Sequence, residues 1–259
     1  MDENTKRAQL RKYFEKPSGC GWWLLGIGAV VFLIGLAMGS DGLAVTIIGL
    51  LAAVVGGLWG YSASKGGDAV SDKQVDAWLD EDIRALVPKA LDKSGLTQAE
   101  LVGEPLIVRG PIYWIVTGIS ETDLKYKKGK DGYARFSVYD VTIVFLTEER
   151  LSAYRCDFNF LKYVALNEAT TEYFYQDVVS VSTREVSTSY TLPNKQSLVS
   201  AQAFSIQVPS GDAIKVVVSA TKLQEITSAQ LPPTGAEEAV GVIRTMLRSR
   251  KGVVRVAKE

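Results

Sequence analysis

Two long apolar runs open the hydrophobic pattern of this chain, Trp22 to Met38 and Leu43 to Tyr61, and neither contains a Lys, Arg, Asp or Glu. Each approaches the ~20 residues that a helix needs to cross the hydrocarbon core of a bilayer. Only Gly39-Ser40-Asp41-Gly42 separates them, so the pattern predicts a transmembrane helical hairpin over residues 19–61. Residues 62–70 are small and polar, a connector. After Ser71 the apolar positions take a helical period. Val75, Trp78, Leu79, Ile83, Leu86 and Val87 share one face, and Asp72, Asp76, Asp80 and Glu81 the other. Ser71 with Gln74, and Thr97 with Glu100, have capping-box spacing. Pro88 should end or kink the helix. Residues 62–102 therefore read as a linker with amphipathic helices. The acidic face disfavours lying on an anionic membrane. The apolar stripe (Val75, Trp78, Leu79, Ile83, Leu86) is instead an interaction helix, buried against the following domain or docked on a neighbouring subunit.

From Pro105 the pattern becomes strand-like, and residues 103–259 form a separate β domain. Strands are predicted at Leu106 to Arg109, Ile112 to Gly118, Ala134 to Leu146, Leu151 to Phe158, Glu172 to Tyr175 and Val178 to Thr191. Phe204, Ile206 and Val208 alternate with polar residues, Pro209-Ser210-Gly211-Asp212 turns the chain, and Ile214, Val216 and Val218 alternate back. Pro193 to Ser200 reads as a polar loop. A final amphipathic helix follows Pro232-Pro233. Ala236, Val240, Ile243, Met246 and Leu247 make its apolar face. Glu237 and Glu238 stand at its start and Arg244, Arg248, Arg250 and Lys251 at its end, as the helix dipole favours.

Composition narrows the chemistry. The net charge of the 259 residues is zero, so nothing attracts nucleic acid in bulk, and no nucleic-acid partner is expected. There is no histidine, which excludes His-based triads, His metal sites and His proton switches. The two cysteines, Cys20 and Cys156, form no disulfide framework and suit a reducing compartment. Asp76, Asp80 and Asp82 read as a solvated helix face rather than a metal site, and Cys156 reads as a core residue. No glycine-rich phosphate loop is present. No catalytic residue, metal or cofactor is expected, and the chain reads as a non-enzyme.

Topology follows from the flanks. The segment 1–18 carries Lys6, Arg7, Arg11, Lys12 and Lys16, and Lys65 and Lys73 follow the second run, while the short loop has neither Lys nor Arg. Basic flanks stay on the cytoplasmic side, so both termini are expected in the cytoplasm of a two-pass inner-membrane protein. Trp22, Trp23, Trp59 and Tyr61 would serve as interfacial anchors. Small residues pattern both runs: Gly21, Gly28 and Gly35 in the first, and Gly49, Ala53 and Gly57 in the second with Gly56 and Gly60 beside them. Such faces let helices approach closely in lipid. One would serve the hairpin and the other a second copy. A basic cluster, Lys125, Lys127, Lys128 and Lys130 with Arg135 just beyond, reads both as a solvated turn and as a contact for anionic lipid or an acidic partner.

Val141-Thr142-Ile143-Val144-Phe145-Leu146-Thr147 with Arg150-Leu151, and Tyr175-Gln176-Asp177-Val178-Val179-Ser180-Val181, resemble strand-turn-strand and strand-start stretches of pleckstrin-homology-like domains. The resemblance covers roughly Gly103 to Lys251. It implies an α+β chain: a two-helix transmembrane hairpin, then an antiparallel β-barrel or sandwich of about seven strands closed by a C-terminal helix. Bacterial members are often attached to transmembrane segments, and a basic loop in lipid-binding members holds headgroups. The function expected is a membrane-anchored scaffold that homo-oligomerises through its hairpin and presents the β domain to another protein, membrane-bound or cytoplasmic, or to anionic lipid. The alternative is a ligand-sensing effector whose β domain binds a small molecule and rearranges the hairpins to perturb the membrane.

Overall fold

The computed structural model describes residues 2–15, 20–66, 70–186, 188–198, 201–207, 213–219 and 221–256. Its chain divides into two compact units, Met1–Val75 and Asp76–Glu259.

The first unit begins with a helix that the polar N-terminus does not advertise, α1 (Glu3–Phe14). Leu10, Tyr13 and Phe14, at i, i+3 and i+4, are all buried. The Tyr13 hydroxyl donates to Asp72 at 2.6 Å. Two helices follow, α2 (Cys20–Ala37) and α3 (Leu43–Gly66), joined by a 3-10 turn at Gly39–Gly42. Gly39 ends α2 at φ +65°, the left-handed conformation that a helix C-terminus commonly assigns to glycine. The two helices pack along a seam of glycines. A Cβ at Gly28 would strike the Ala53 backbone, one at Gly35 that of Thr46, and one at Gly49 that of Phe32. Gly28 and Gly35, like Gly42, Gly49 and Gly56, recur every seven residues, the repeat that keeps one seam turned to a neighbour.

Both runs were expected to be long enough to cross a membrane, and the helix lengths support this for one of them. Among the described residues only Leu43–Tyr61 of α3 is long and apolar enough to cross a membrane, and the apolar part of α2, Trp23–Ala37, is shorter.

The second unit holds most of α4 (Asp72–Ala85), then α5 (Val87–Lys93) and the strands. Pro88 sits in the first turn of α5, where its missing N–H costs nothing, so the proline starts a new helix. The capping box of Thr97 and Glu100 is formed, around a 3-10 turn at Gln98–Glu100. Four strands form one antiparallel sheet in the order β1 (Leu106–Pro111), β4 (Val138–Leu146), β5 (Arg150–Asn159), β6 (Val164–Phe174). Pro111 fits because β1 is an edge. A second antiparallel sheet has the order β11 (Ala213–Ser219), β10 (Ala201–Gln207), β7 (Ser180–Val186). Two small hairpins complete the strands, β2 (Tyr126–Lys128) with β3 (Ala134–Phe136), and β8 (Tyr190–Thr191) with β9 (Ser197–Leu198). The helices are α6 (Thr221–Thr227) and α7 (Ala236–Val256).

The α+β class stands, but none of the described sheets closes into a barrel. Val108, Val144, Leu151, Phe204, Ile206 and Val216 interleave between the larger sheets, and Ala236, Ala239, Val240 and Ile243 of α7 join the same core. Gly110 of β1 lies where a Cβ would strike the Val217 carbonyl of β11, so the two sheets meet edge to edge there. Several strand limits moved. The long strand predicted from Ala134 breaks at Ser137, whose hydroxyl bridges the backbone of Asp123 and Lys125. Ile112 to Gly118 is no strand. β6 begins at Val164, well before the predicted Glu172, because its polar outer positions hide the alternation. The polar stretch from Pro193 holds half of a small hairpin, with Leu192 and Leu198 both buried. The turn Pro209-Ser210-Gly211-Asp212 lies outside the described residues, but β10 and β11 pair as predicted, Phe204 opposite Val216.

Candidate functional site

The acidic face of α4 was expected to face solvent. It is instead a docking face within the second unit. Asp76 accepts a bidentate pair from Arg135 (2.8 Å from Nε, 2.6 Å from Nη2), and Asp131 accepts two more bonds from the same guanidinium, at 3.0 and 2.6 Å. One helical turn on, Asp80 pairs with Arg109 of β1. The i, i+4 spacing puts both carboxylates on one side of α4, and bidentate geometry makes the Arg135 pair directional. The Arg135 side chain is only 4 % exposed. The guanidinium beside Asp131 lowers that carboxyl to about 2.

This corrects one expectation. Arg135 is committed to α4 and the β2–β3 turn and is not available to a lipid headgroup. Of the lysines grouped with it, Lys128 and Lys130 are exposed, and Lys125 and Lys127 are half-buried. They lie along one small hairpin, with Lys127 directly opposite Arg135. The interaction helix takes the first of its two expected placements, burial within the chain, since Val75, Trp78, Leu79, Ile83 and Leu86 are all buried. They are not open to a separate partner, because the helix that carries them is held down by its charged side.

A second set of polar groups covers the outer face of the four-stranded sheet. Glu168 of β6 accepts from the Tyr154 hydroxyl at 2.6 Å and from Lys89 and Lys93 of α5, each at 2.9 Å. Those donors outweigh its partial burial and hold its carboxyl down at about 2. On the inner face Asp140 pairs with Arg155 at 2.7 and 2.9 Å, yet its burial outweighs that cation and pushes its carboxyl up to about 6. Asp157 accepts from Asn167 at 2.6 Å. Asn167, at φ +52°, sits where β6 shifts register against β5. Burial pushes the Cys156 thiol up to about 12, so it stays protonated and unreactive at neutral pH, as a core cysteine does. Among the described residues no group of three or more His, Cys, Asp or Glu is placed to hold a metal ion. These arrangements hold elements together, and nothing in them sets a nucleophile beside a base.

The hairpin offers a different surface. Its small residues turn inward: Gly28, Gly35, Gly49, Gly56 and Gly60 are buried, while Ala53 and Gly57 are half-buried, with Leu25 3.1 Å from a Cβ built on Gly57. The surroundings of Gly21 lie outside the described residues. The face reserved for a second copy is thus largely used within the hairpin itself. Outward stand large apolar side chains, among them Trp23 (74 % exposed), Leu33, Ile48, Leu51 and Leu58. Trp23, Gly26, Ile27, Val30 and Val31 line an apolar groove of about 580 Å³ on α2. A continuous exposed apolar surface of this kind is rare on monomers in water.

No protein family, curated protein or solved structure matches the chain. The signal that could have found the α4 clamp was present: two aspartates one turn apart on a helix, and two arginines in apolar strand surroundings that need a counter-charge.

Proposed function

We propose that the chain is a membrane-anchored, non-enzymatic interaction protein. In this reading α2 and α3 enter the bilayer as a hairpin with both ends in the cytoplasm. The β domain, of pleckstrin-homology-like type, is presented to a protein partner or to anionic lipid, and the chain assembles as a homo-oligomer. One observation carries the anchoring: the glycines of α2 and α3 press on the facing helix backbone, large apolar side chains stand outward, and neither Trp22 to Met38 nor Leu43 to Tyr61 holds a charged residue. In water that surface would be a liability, and in lipid it is the matching solvent. The pleckstrin-homology-like reading rests on the sequence resemblance, beside antiparallel sheets of four and three strands with α7 in their core. The packing of Trp78, Leu79 and Ile83 under the Asp76 and Asp80 clamp leaves the β domain's outer surfaces, rather than α4, to meet partners.

The test is extraction of membranes at high pH, followed by mass measurement in mild detergent. Retention in the membrane pellet and a mass of two or more chains support the reading. Release by carbonate would overturn the anchoring, and a single-chain mass at every concentration would overturn the assembly.

A further inference from the structure

The solvent side of α7 carries a strip that the described residues leave uncovered. Glu238, Gly241, Val242, Thr245, Arg248 and Ser249 are exposed, while Ala236, Ala239, Val240 and Ile243 point into the core. Gly241 is the odd member. A Cβ built on it meets nothing within 4 Å, so no packing among the described residues calls for glycine there. Glycine in a helix interior is destabilising relative to alanine. Gly241, Thr245 and Ser249 stand four apart and make a narrow flat stripe. Glu238 closes one end of it and Arg248 the other, and neither has an ion-pair partner among the described residues.

A strip that is acidic at one end, basic at the other and small between them is complementary to itself reversed. We propose that α7 pairs with α7 of a second copy, the two helices antiparallel about a two-fold axis at the level of Ile243. That axis brings Glu238 to Arg248 and Gly241 to Thr245, each contact occurring twice as an isologous interface requires. Gly241 lets the helices approach, with Val242 flanking the crossing. The proposal rests on the homo-oligomeric reading and names the interface.

The experiment uses the full chain in mild detergent or nanodiscs. Glu238→Arg and Arg248→Glu each set like charges together at two symmetric places, and each should weaken self-association about tenfold. The double variant restores opposite charges and should recover it. In a Cys20→Ser background, co-expressed chains carrying Gly241→Cys and Thr245→Cys under different tags should form the mixed disulfide on mild oxidation, while Cys156 stays buried. Gly241→Leu should prevent the association and, placed in the Thr245→Cys chain, the crosslink, while leaving the melting transition of the β domain in place. If the oligomer keeps its mass through the charge reversals and Gly241→Leu, and no mixed disulfide forms, the interface lies elsewhere: the α7 proposal fails and the oligomeric reading stands. A parent protein that is monomeric throughout defeats both.

Discussion

Replacing Glu168 by Gln tests whether the outer polar set holds α5 to the sheet. Glu168 is the common acceptor for Tyr154, Lys89 and Lys93, and its side chain is 18 % exposed. Its carboxyl falls from 4.5 to about 2 on folding, a difference equivalent to about 3 kcal/mol at face value. Both lysines are more than two-fifths exposed, so water and salt screen them, and about 1–2 kcal/mol is the effective figure. The sign is that of a depressed carboxylate. The stabilisation is fully present above pH ~4.5 and is lost as pH falls toward about 2. Glu168→Gln should therefore lower the melting temperature of the second unit by ~2–8 °C at pH 7. The gap between parent and variant should be narrower at pH 3 and close only below about pH 2. The assay is thermal unfolding of the full chain in mild detergent at pH 7, 5 and 3, followed by near-ultraviolet circular dichroism. A variant within 1 °C of the parent at pH 7, or a gap that does not shrink on acidification, would refute the reasoning.

The other predictions probe the remaining contacts. Arg135→Ala should cost about 1–3 kcal/mol, because Asp76 and Asp131 are half-exposed and rehydrate once the buried guanidinium is gone; urea titration reads the loss, and Arg135→Lys should recover only part of it, since an ammonium cannot make the bidentate pair. Asp140→Asn should flatten the stability profile between pH 4 and 6: burial raises this carboxyl, so ionising it costs the folded state stability as pH climbs from 3.8 to about 6, a slope the amide lacks. Gly49→Leu should pry α2 from α3, because even its Cβ meets the Phe32 backbone; a disulfide between cysteines placed at Leu25 and Gly57, expected to form in the otherwise unchanged seam, should be lost, whereas Gly26→Leu, at an open position, should leave it intact.

Much of the fold can be read without coordinates, wherever a residue's partner lies close in sequence. The α4 face of Val75, Trp78, Leu79 and Ile83, the Thr97–Glu100 box, and the β10–β11 pairing of Phe204 with Val216 are local signals, and the folded chain keeps them. β6 escaped because its outer side faces charged neighbours: Glu168 and Glu172 are paired with Lys89, Lys93 and Arg150, so the strand has no clean alternation to display. The α1 helix escaped because its three buried apolar residues sit among charges, two of which, Lys6 and Arg7, are buried with them.

What the sequence determined by itself is the hydropathy of each segment: two runs without a charge, Trp22 to Met38 and Leu43 to Tyr61, parted by a loop that holds Asp41, and a mixed chain beyond them. Hydropathy is a property of single residues, so their order suffices. Tertiary structure alone decided which charges are spoken for. Asp76 and Arg135 are 59 positions apart, and a carboxylate alone on a helix looks identical whether it meets water or a guanidinium. The same holds for glycine. Gly28 and Gly26 are indistinguishable in the sequence, but one presses on Ala53 and the other opens onto empty space. Only the path of the second helix separates them.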